Sequence, residues 1–166
     1  MKKSMLCALV LGSICVGGLH AGSLYESPDA KKIIAKDSLA APQKFTMPKS
    51  CVKNDAKTIQ LGKILFNDYN NKNHKFKEFP NGKEFGNCVA CHNIENADGY
   101  GNIGPDLTKY NELFVKSGIR THEWIYQKIA DSRIDNPHTQ MTINKTNGLL
   151  NDEEICQVLS YVLADK

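Results

Sequence analysis

The stretch Cys88-Val89-Ala90-Cys91-His92 decides the fold of this 166-residue chain. Two thiols three positions apart on a helical turn can each form a thioether with a vinyl group of haem, and the histidine that follows can bind the iron. The pentad therefore predicts one covalently bound haem c, held by Cys88 and Cys91, with His92 as the proximal axial ligand. The alternatives are a thioredoxin-type redox pair, which lacks its usual Trp-Cys-Gly-Pro-Cys and βαβ context, and a zinc site, which lacks a second ligand pair.

A haem iron needs a second axial ligand or keeps an open position. Beyond the first 21 residues the chain has only two methionines, Met47 and Met141. Met141 ends the turn-rich segment 136–141, from which a side chain can reach over the second face of the haem. We expect His92 and Met141 to be the two axial ligands, a pair that raises the reduction potential and suits electron transfer.

Other interpretations of these side chains remain open. Met141 could instead fill a gap in the apolar core, as methionine often does. His138, in the same turn-rich segment, is the rival iron ligand. His74 and His122 are expected on the surface.

The segment after the haem motif contains a candidate for orienting His92. A metal-bound imidazole donates its other N–H to a carbonyl or carboxylate, which fixes the tautomer and the ring orientation. Gly104-Pro105 forms a rigid turn that could bring a backbone carbonyl back to His92, and we expect Pro105 to be part of this second layer. Taken alone, a Gly-Pro pair indicates only a turn.

The N-terminus predicts export. Two lysines, an apolar run from Met5 to Leu19 and Ala21 at its end form a secretory signal peptide over residues 1–21, and the run is short for a membrane span. An uncleaved anchor is the alternative, whereas Ile14 before Cys15 argues against a lipoprotein. We therefore expect a periplasmic protein without a membrane span. The composition, with 41% hydrophobic residues and a net charge of +3, is that of a globular domain and too weakly basic for a nucleic-acid binder.

The rest of the chain predicts a mainly α-helical domain. Residues 22–54 form an irregular N-terminal extension with three prolines, residues 55–166 the helical domain, and residues 67–87 a polar surface insertion within it. Apolar spacing and capping residues predict three helices, which cover Asp55–Phe66, Thr121–Ile134 and a stretch that starts at Asn151. Gly62 lies within the first helix, where glycine costs ~1 kcal/mol against alanine, so we expect the last helix to cross closely there.

Two further cysteines remain after export. Cys51 precedes the first helix and Cys156 lies in the last, and these helices should cross. In an oxidising compartment this placement predicts a disulfide between them. The alternative is an exposed thiol at Cys51 and a buried apolar thiol at Cys156.

Together these segments resemble class I cytochromes c and, more closely, the SoxX family, the monohaem subunits of SoxXA sulfur-oxidation complexes. The resemblance covers about residues 55–164. Its most specific parts are Gly-Asn-Ile-Gly-Pro at 101–105 and Asn-Pro-His-Thr-Gln-Met at 136–141. Two departures are the insertion at 67–87 and the sequence after Met141, which reads Thr-Ile-Asn-Lys where the family usually has Pro-x-Phe-Gly.

The resemblance implies a role as the electron-accepting subunit of L-cysteine S-thiosulfotransferase, not catalytic by itself. Its partners would be a SoxA-type cytochrome in a heterodimer, the carrier SoxYZ, whose cysteine is joined to thiosulfate, and a soluble cytochrome that takes the electrons.

Two other functions stay open. The first is a free-standing monohaem electron shuttle, although the exported chain would be nearly neutral and a shuttle should carry a charged docking ring. The second is a gas or redox sensor with an open iron position, which requires that Met141 does not bind.

Overall fold

The computed structural model describes residues 40–67 and 87–165, and this part of the chain is α-helical with no β-strand. Three α-helices form its frame: α1 (Ala56–Asn67), α2 (His122–Ala130) and α3 (Asp152–Leu163). Short helical turns of other types lie between them, at Cys88–Ala90, Asn111–Val115 and Ser132–Ile134. The mainly α fold expected from the sequence is confirmed. Within the described ranges, every helix is too short or too polar to cross a membrane.

Each helix begins where its capping residues predict. The Asp55 carboxylate accepts hydrogen bonds from the backbone N–H and the hydroxyl of Thr58, at 2.9 and 2.8 Å. The Thr121 hydroxyl accepts from the Trp124 N–H. At α3, the Asn151 side chain and the Glu154 side chain each accept from the other residue's backbone N–H, which is a capping box.

The contact between α1 and α3 is the most extensive between helices. At Gly62 a Cβ atom would lie 2.0 Å from the Gln157 carbonyl oxygen and 2.8 Å from the Tyr161 Cβ. One turn on, the rings of Phe66 and Tyr161 meet edge to face with centroids 5.4 Å apart. The close crossing expected at Gly62 is therefore present, and the backbone of Gln157 is its nearest surface.

The second predicted helix is wrong beyond Ala130. Asp131 is extended there (φ −158°, ψ 100°), and a separate turn, Ser132–Ile134, begins. The Asp131 carboxylate accepts from the Arg133 N–H, so this short acidic side chain competes with continuation of the helix. The side chain is fully buried and bonded to several other groups, which fixes the break in place.

The described part of the N-terminal extension, residues 40–54, has no regular structure but is attached to the core. Cys51 and Cys156, both buried, form a disulfide across 105 positions of sequence. In the chain-entropy model, closing a loop of this size can stabilise a fold by up to ~4.7 kcal/mol. Nearby, the Lys53 N–H donates to the Ser160 hydroxyl of α3 at 3.0 Å. The predicted signal peptide, the rest of the extension and nearly all of the insertion at 67–87 lie outside the described residues.

Gly62→Ala should lower the free energy of unfolding by about 2 kcal/mol, because overpacking against the Gln157 backbone outweighs the better helix propensity of alanine. Chemical denaturation followed by circular dichroism measures this. Gln60→Ala on the exposed face of the same helix is the matched control and should change stability little. Equal stability of Gly62→Ala and wild type would contradict the close crossing.

Asp131→Asn should cost about 3 kcal/mol at neutral pH, because it removes one partner of a buried ion pair. The hydrogen bonds from the Arg133 guanidinium hold the pKa of the Asp131 carboxyl well below its usual value. A carboxyl whose pKa is lower in the folded state stabilises the fold fully at pH values above its unfolded-state pKa of ~3.9. This stabilisation is lost as the pH falls through the folded-state pKa. The gap between variant and wild type should therefore narrow below about pH 4. Urea titrations at several pH values test this, with the exposed Asp165→Asn as control. A gap independent of pH would contradict it.

Candidate haem-binding site

The haem motif forms one tight turn. The Cys91 and His92 N–H groups both donate to the Cys88 carbonyl, at 3.1 and 2.9 Å. This turn brings two half-buried thiols and an imidazole together, and the two cysteines are not joined in a disulfide. The local geometry is what attachment through two thioethers requires.

The electrostatics of the turn disfavour a thioredoxin-type redox pair. Burial raises the pKa of the Cys88 thiol to about 12. A thioredoxin-type nucleophile has a lowered thiol pKa, which is the opposite direction. The described residues also contain no group of three or more His, Cys, Asp or Glu side chains placed to hold a metal ion.

The imidazole of His92 is oriented by the loop that follows. Its Nδ1 lies 2.8 Å from the Pro105 carbonyl oxygen. A carbonyl can only accept, so Nδ1 carries the proton and Nε2 is left free to bind a metal ion. The Gly104 N–H donates to the Cys91 carbonyl and the Leu107 N–H to the Asn93 carbonyl, each at 2.8 Å. These backbone bonds fix the loop against the motif, so the acceptor stays in place.

Gly104 has a role that the sequence did not reveal. A Cβ atom at this position would lie 2.4 Å from Cε1 of His92 and 2.7 Å from its Nδ1. The loop can approach the ring only because residue 104 has no side chain. Sequence patterns indicated a turn here, but a contact with a ring twelve residues away leaves no local signal.

A cavity of about 550 Å³ lies beside the motif. Its wall comes from the motif turn, the loop after it, all three helices and the segment around Met141. Lining residues from the helices are Phe66, Trp124, Ile125, Lys128, Ile129, Val158 and Val162. The volume lies in the range of pockets that bind cofactors, and the helices contribute mainly apolar side chains.

The structure brings both candidate distal ligands to this cavity. Met141, half-buried, and His138, exposed, each line it. Met47 instead packs against the core and does not line the cavity. His122 also lies away from the cavity, and His74 lies outside the described residues.

Hydrogen bonds shape the segment that carries Met141. The Thr139 hydroxyl accepts from the Met141 N–H at 3.1 Å and lies 3.2 Å from the Ser132 hydroxyl, which donates to it. The Thr139 N–H in turn donates to the Asn136 carbonyl. Ser132 and Thr139 were not identified from the sequence, because small hydroxyl residues in loops carry no distinctive pattern.

Positive charge lies beside one wall of the cavity. The Arg120 guanidinium and the Lys128 ammonium both stack on the Trp124 ring, at 4.1 and 4.9 Å from its centre. Such cation–π contacts hold the two cations near the indole. Lys128 also lies 2.7 Å from an Asp135 carboxylate oxygen. Of these two cations only Lys128 lines the cavity, and Asp135 balances its charge.

These residues fit a covalently bound haem. Cys88 and Cys91 would form the thioethers, His92 has a free Nε2 for the iron, and the cavity is large and mainly apolar at the helices. When bound, the haem supplies one-electron redox chemistry. The protein's own contribution is to attach it, fix the imidazole and limit access of water.

Gly104→Ala should raise the midpoint potential of the bound haem, because the new methyl group displaces His92 from the Pro105 carbonyl and weakens the donor strength of the imidazole. If the substitution weakens stabilisation of the ferric state tenfold relative to the ferrous state, the midpoint potential rises by about 59 mV, because the couple transfers one electron. Spectroelectrochemical titration measures the shift. Asn102→Ala, exposed in the same loop, is the control. An unchanged potential in Gly104→Ala would contradict the role assigned to this contact.

Comparison with known proteins agrees with this geometry. The family model for cytochrome c matches residues 59–165, which is more than half of the chain and includes the motif turn, the loop after it and the Met141 segment. No match was found among curated proteins. The fold, the two-cysteine turn and the oriented imidazole fit a haem-containing electron-transfer domain, and the chain belongs to the cytochrome c family.

Proposed function

We propose that this chain is the monohaem, electron-accepting subunit of a SoxXA-type complex in the periplasm. The observation that carries the proposal is the pair of segments 101–105 and 136–141, which resemble the SoxX family and meet at one cavity with the haem motif. The first segment supports the proximal histidine, and the second carries the proposed distal ligand Met141. His138 remains the rival for that position.

Export supports the same proposal. Residues 1–21 have the pattern of a signal peptide. A disulfide such as the one between Cys51 and Cys156 forms and persists in oxidising compartments. The periplasm satisfies both conditions.

The proposed axial ligation by His92 and Met141 favours electron transfer over gas sensing. With both positions filled, no site remains for a small ligand, and the haem only gains and loses an electron. The segment after Met141 departs from the SoxX pattern but remains tied to α2: the Asn144 side chain donates to the Ile129 carbonyl, and the Lys145 N–H to the Ala130 carbonyl. The departure therefore leaves the proposed ligand beside the cavity.

The reaction balances as follows. A sulfur–sulfur bond forms between the terminal sulfur of thiosulfate and a cysteine of the carrier SoxYZ, whose S–H bond breaks. One proton and two electrons are released. The partner, a SoxA-type cytochrome, would hold the site where this bond forms. The haem of this chain would receive the electrons one at a time and pass them to a soluble cytochrome.

Affinity purification of the tagged chain from its native periplasm tests the proposal. We expect a stoichiometric partner with its own covalently bound haem, so that a pyridine haemochrome assay gives more than one haem per copy of this chain. Thiosulfate together with the carrier should reduce the haem of this chain in the purified complex. A carrier with serine in place of its acceptor cysteine is the matched control, because it cannot form the bond and should cause no reduction.

A chain that purifies alone with one haem would overturn the subunit proposal and favour the free-standing shuttle. Ready binding of carbon monoxide to the reduced native protein would overturn the assignment of Met141 and favour the sensor.

A further inference from the structure

A buried carboxylate, Asp131, joins three separate segments of the chain. Its oxygens accept hydrogen bonds from the Arg133 side chain at 2.9 and 2.7 Å, from the Thr146 hydroxyl at 2.9 Å and from the Gln43 N–H at 3.2 Å. The side chain is completely inaccessible to solvent. None of these bonds involves the haem motif, and the electron-transfer role proposed above does not explain them.

One of these bonds joins the two ends of the segment that carries Met141. Asp131 lies before that segment and Thr146 after it, and the Thr146 hydroxyl donates to the Asp131 carboxylate. Next to Asp131, the Ser132 hydroxyl donates to Thr139, whose hydroxyl receives the Met141 N–H. The carboxylate therefore closes the base of the loop, and a separate short chain of hydrogen bonds runs from the neighbouring Ser132 to the backbone of Met141.

The N-terminal extension completes the cluster. The Arg133 guanidinium donates to the Ala40 carbonyl at 2.7 Å. The Gln127 amide accepts from the Phe45 N–H at 2.7 Å and donates to the Gln43 carbonyl at 3.0 Å. The backbone of this irregular segment is therefore hydrogen-bonded to buried side chains. These bonds also restrain the residues at the base of the loop.

We propose that Asp131 is a positioning residue that determines how firmly Met141 is held at the haem iron. The proposal rests on the proposed assignment of Met141 as axial ligand. A neutral thioether competes with added ligands only through its high effective concentration at the iron, and this concentration depends on how narrowly the loop is confined. A loop fixed at both ends by one buried carboxylate has few conformations in which the thioether points away.

Imidazole titration of the haem-loaded, oxidised full-length protein tests the proposal. The readout is the methionine-to-iron charge-transfer absorption, which disappears as imidazole replaces the thioether. Thr146→Val removes one bond to the carboxylate with little change in shape. It should increase the apparent affinity for imidazole about tenfold, which corresponds to 1.4 kcal/mol. Asp131→Asn should increase the affinity further, and Thr146→Val keeps the test valid if that variant does not fold.

Ser160→Ala separates positioning from general destabilisation. It removes the buried hydroxyl that accepts from the Lys53 N–H, and Ser160 neither lines the cavity nor contacts the loop through its hydrogen bonds, so its imidazole affinity should equal that of wild type under conditions in which it is folded. An equal gain of affinity in Ser160→Ala and Thr146→Val would overturn the proposal. So would an unchanged affinity in Thr146→Val.

Met141→Ala distinguishes a failure of the ligand assignment of Met141 from a failure of the positioning role of Asp131. If wild type shows the charge-transfer band and Met141→Ala loses it and binds imidazole more tightly, Met141 is the ligand, and an unchanged Thr146→Val then overturns positioning alone. If wild type lacks the band and matches Met141→Ala in affinity, the ligand assignment fails and the positioning proposal falls with it. The test of the SoxXA-type complex depends on neither result.

Discussion

The close approach of α1 and α3 at Gly62 is the constraint on which the rest of the structure depends. Contact between the Gly62 backbone and the Gln157 carbonyl region determines how near the two helices can lie. Phe66 on α1 and Val158 and Val162 on α3 line the haem cavity, so their separation determines the shape of its apolar wall. The disulfide from Cys156 of α3 to Cys51 connects the same helix to the chain just before α1. One residue without a side chain thus allows the pocket to form.

The two sides of the candidate site are held by different kinds of bond. On the side of His92, backbone hydrogen bonds join the motif to a loop that follows within about fifteen positions of sequence. Around Met141, side-chain bonds dominate, and their partners include residues of the N-terminal extension. Backbone bonds survive most substitutions, whereas side-chain bonds change with a single residue. Apart from Gly104, which cannot take a side chain beside the ring, the geometry at the histidine is therefore the more resistant to mutation, and the geometry at the methionine can be adjusted.

This difference explains how much of the molecule could be predicted from its sequence. The haem motif, the cap at Thr121, the start of the last helix at Asn151 and the crossing at Gly62 were predictable. Each depends on neighbouring residues or on a glycine that is unfavourable in a helix unless another element packs closely against it. The end of α2 at Ala130 could not be predicted. The hydrogen-bond partners that stabilise the buried Asp131 include Thr146 and Gln43, and Gln43 lies 88 positions earlier. The contact of Gly104 with His92 was missed for the same reason, since only the folded loop brings the two together.

The buried pair of Asp131 and Arg133 is poorly explained by stability alone. Desolvation of two charges offsets much of their attraction, and apolar residues of similar volume often stabilise a fold equally well or better. Apolar residues, however, tolerate small shifts in register, whereas this carboxylate specifies its donors by direction and distance. Under the proposed ligation, a loop that holds a weak thioether ligand at the iron would gain from that specificity. On this proposal, the cost of burying the charge is the cost of keeping Met141 in one place.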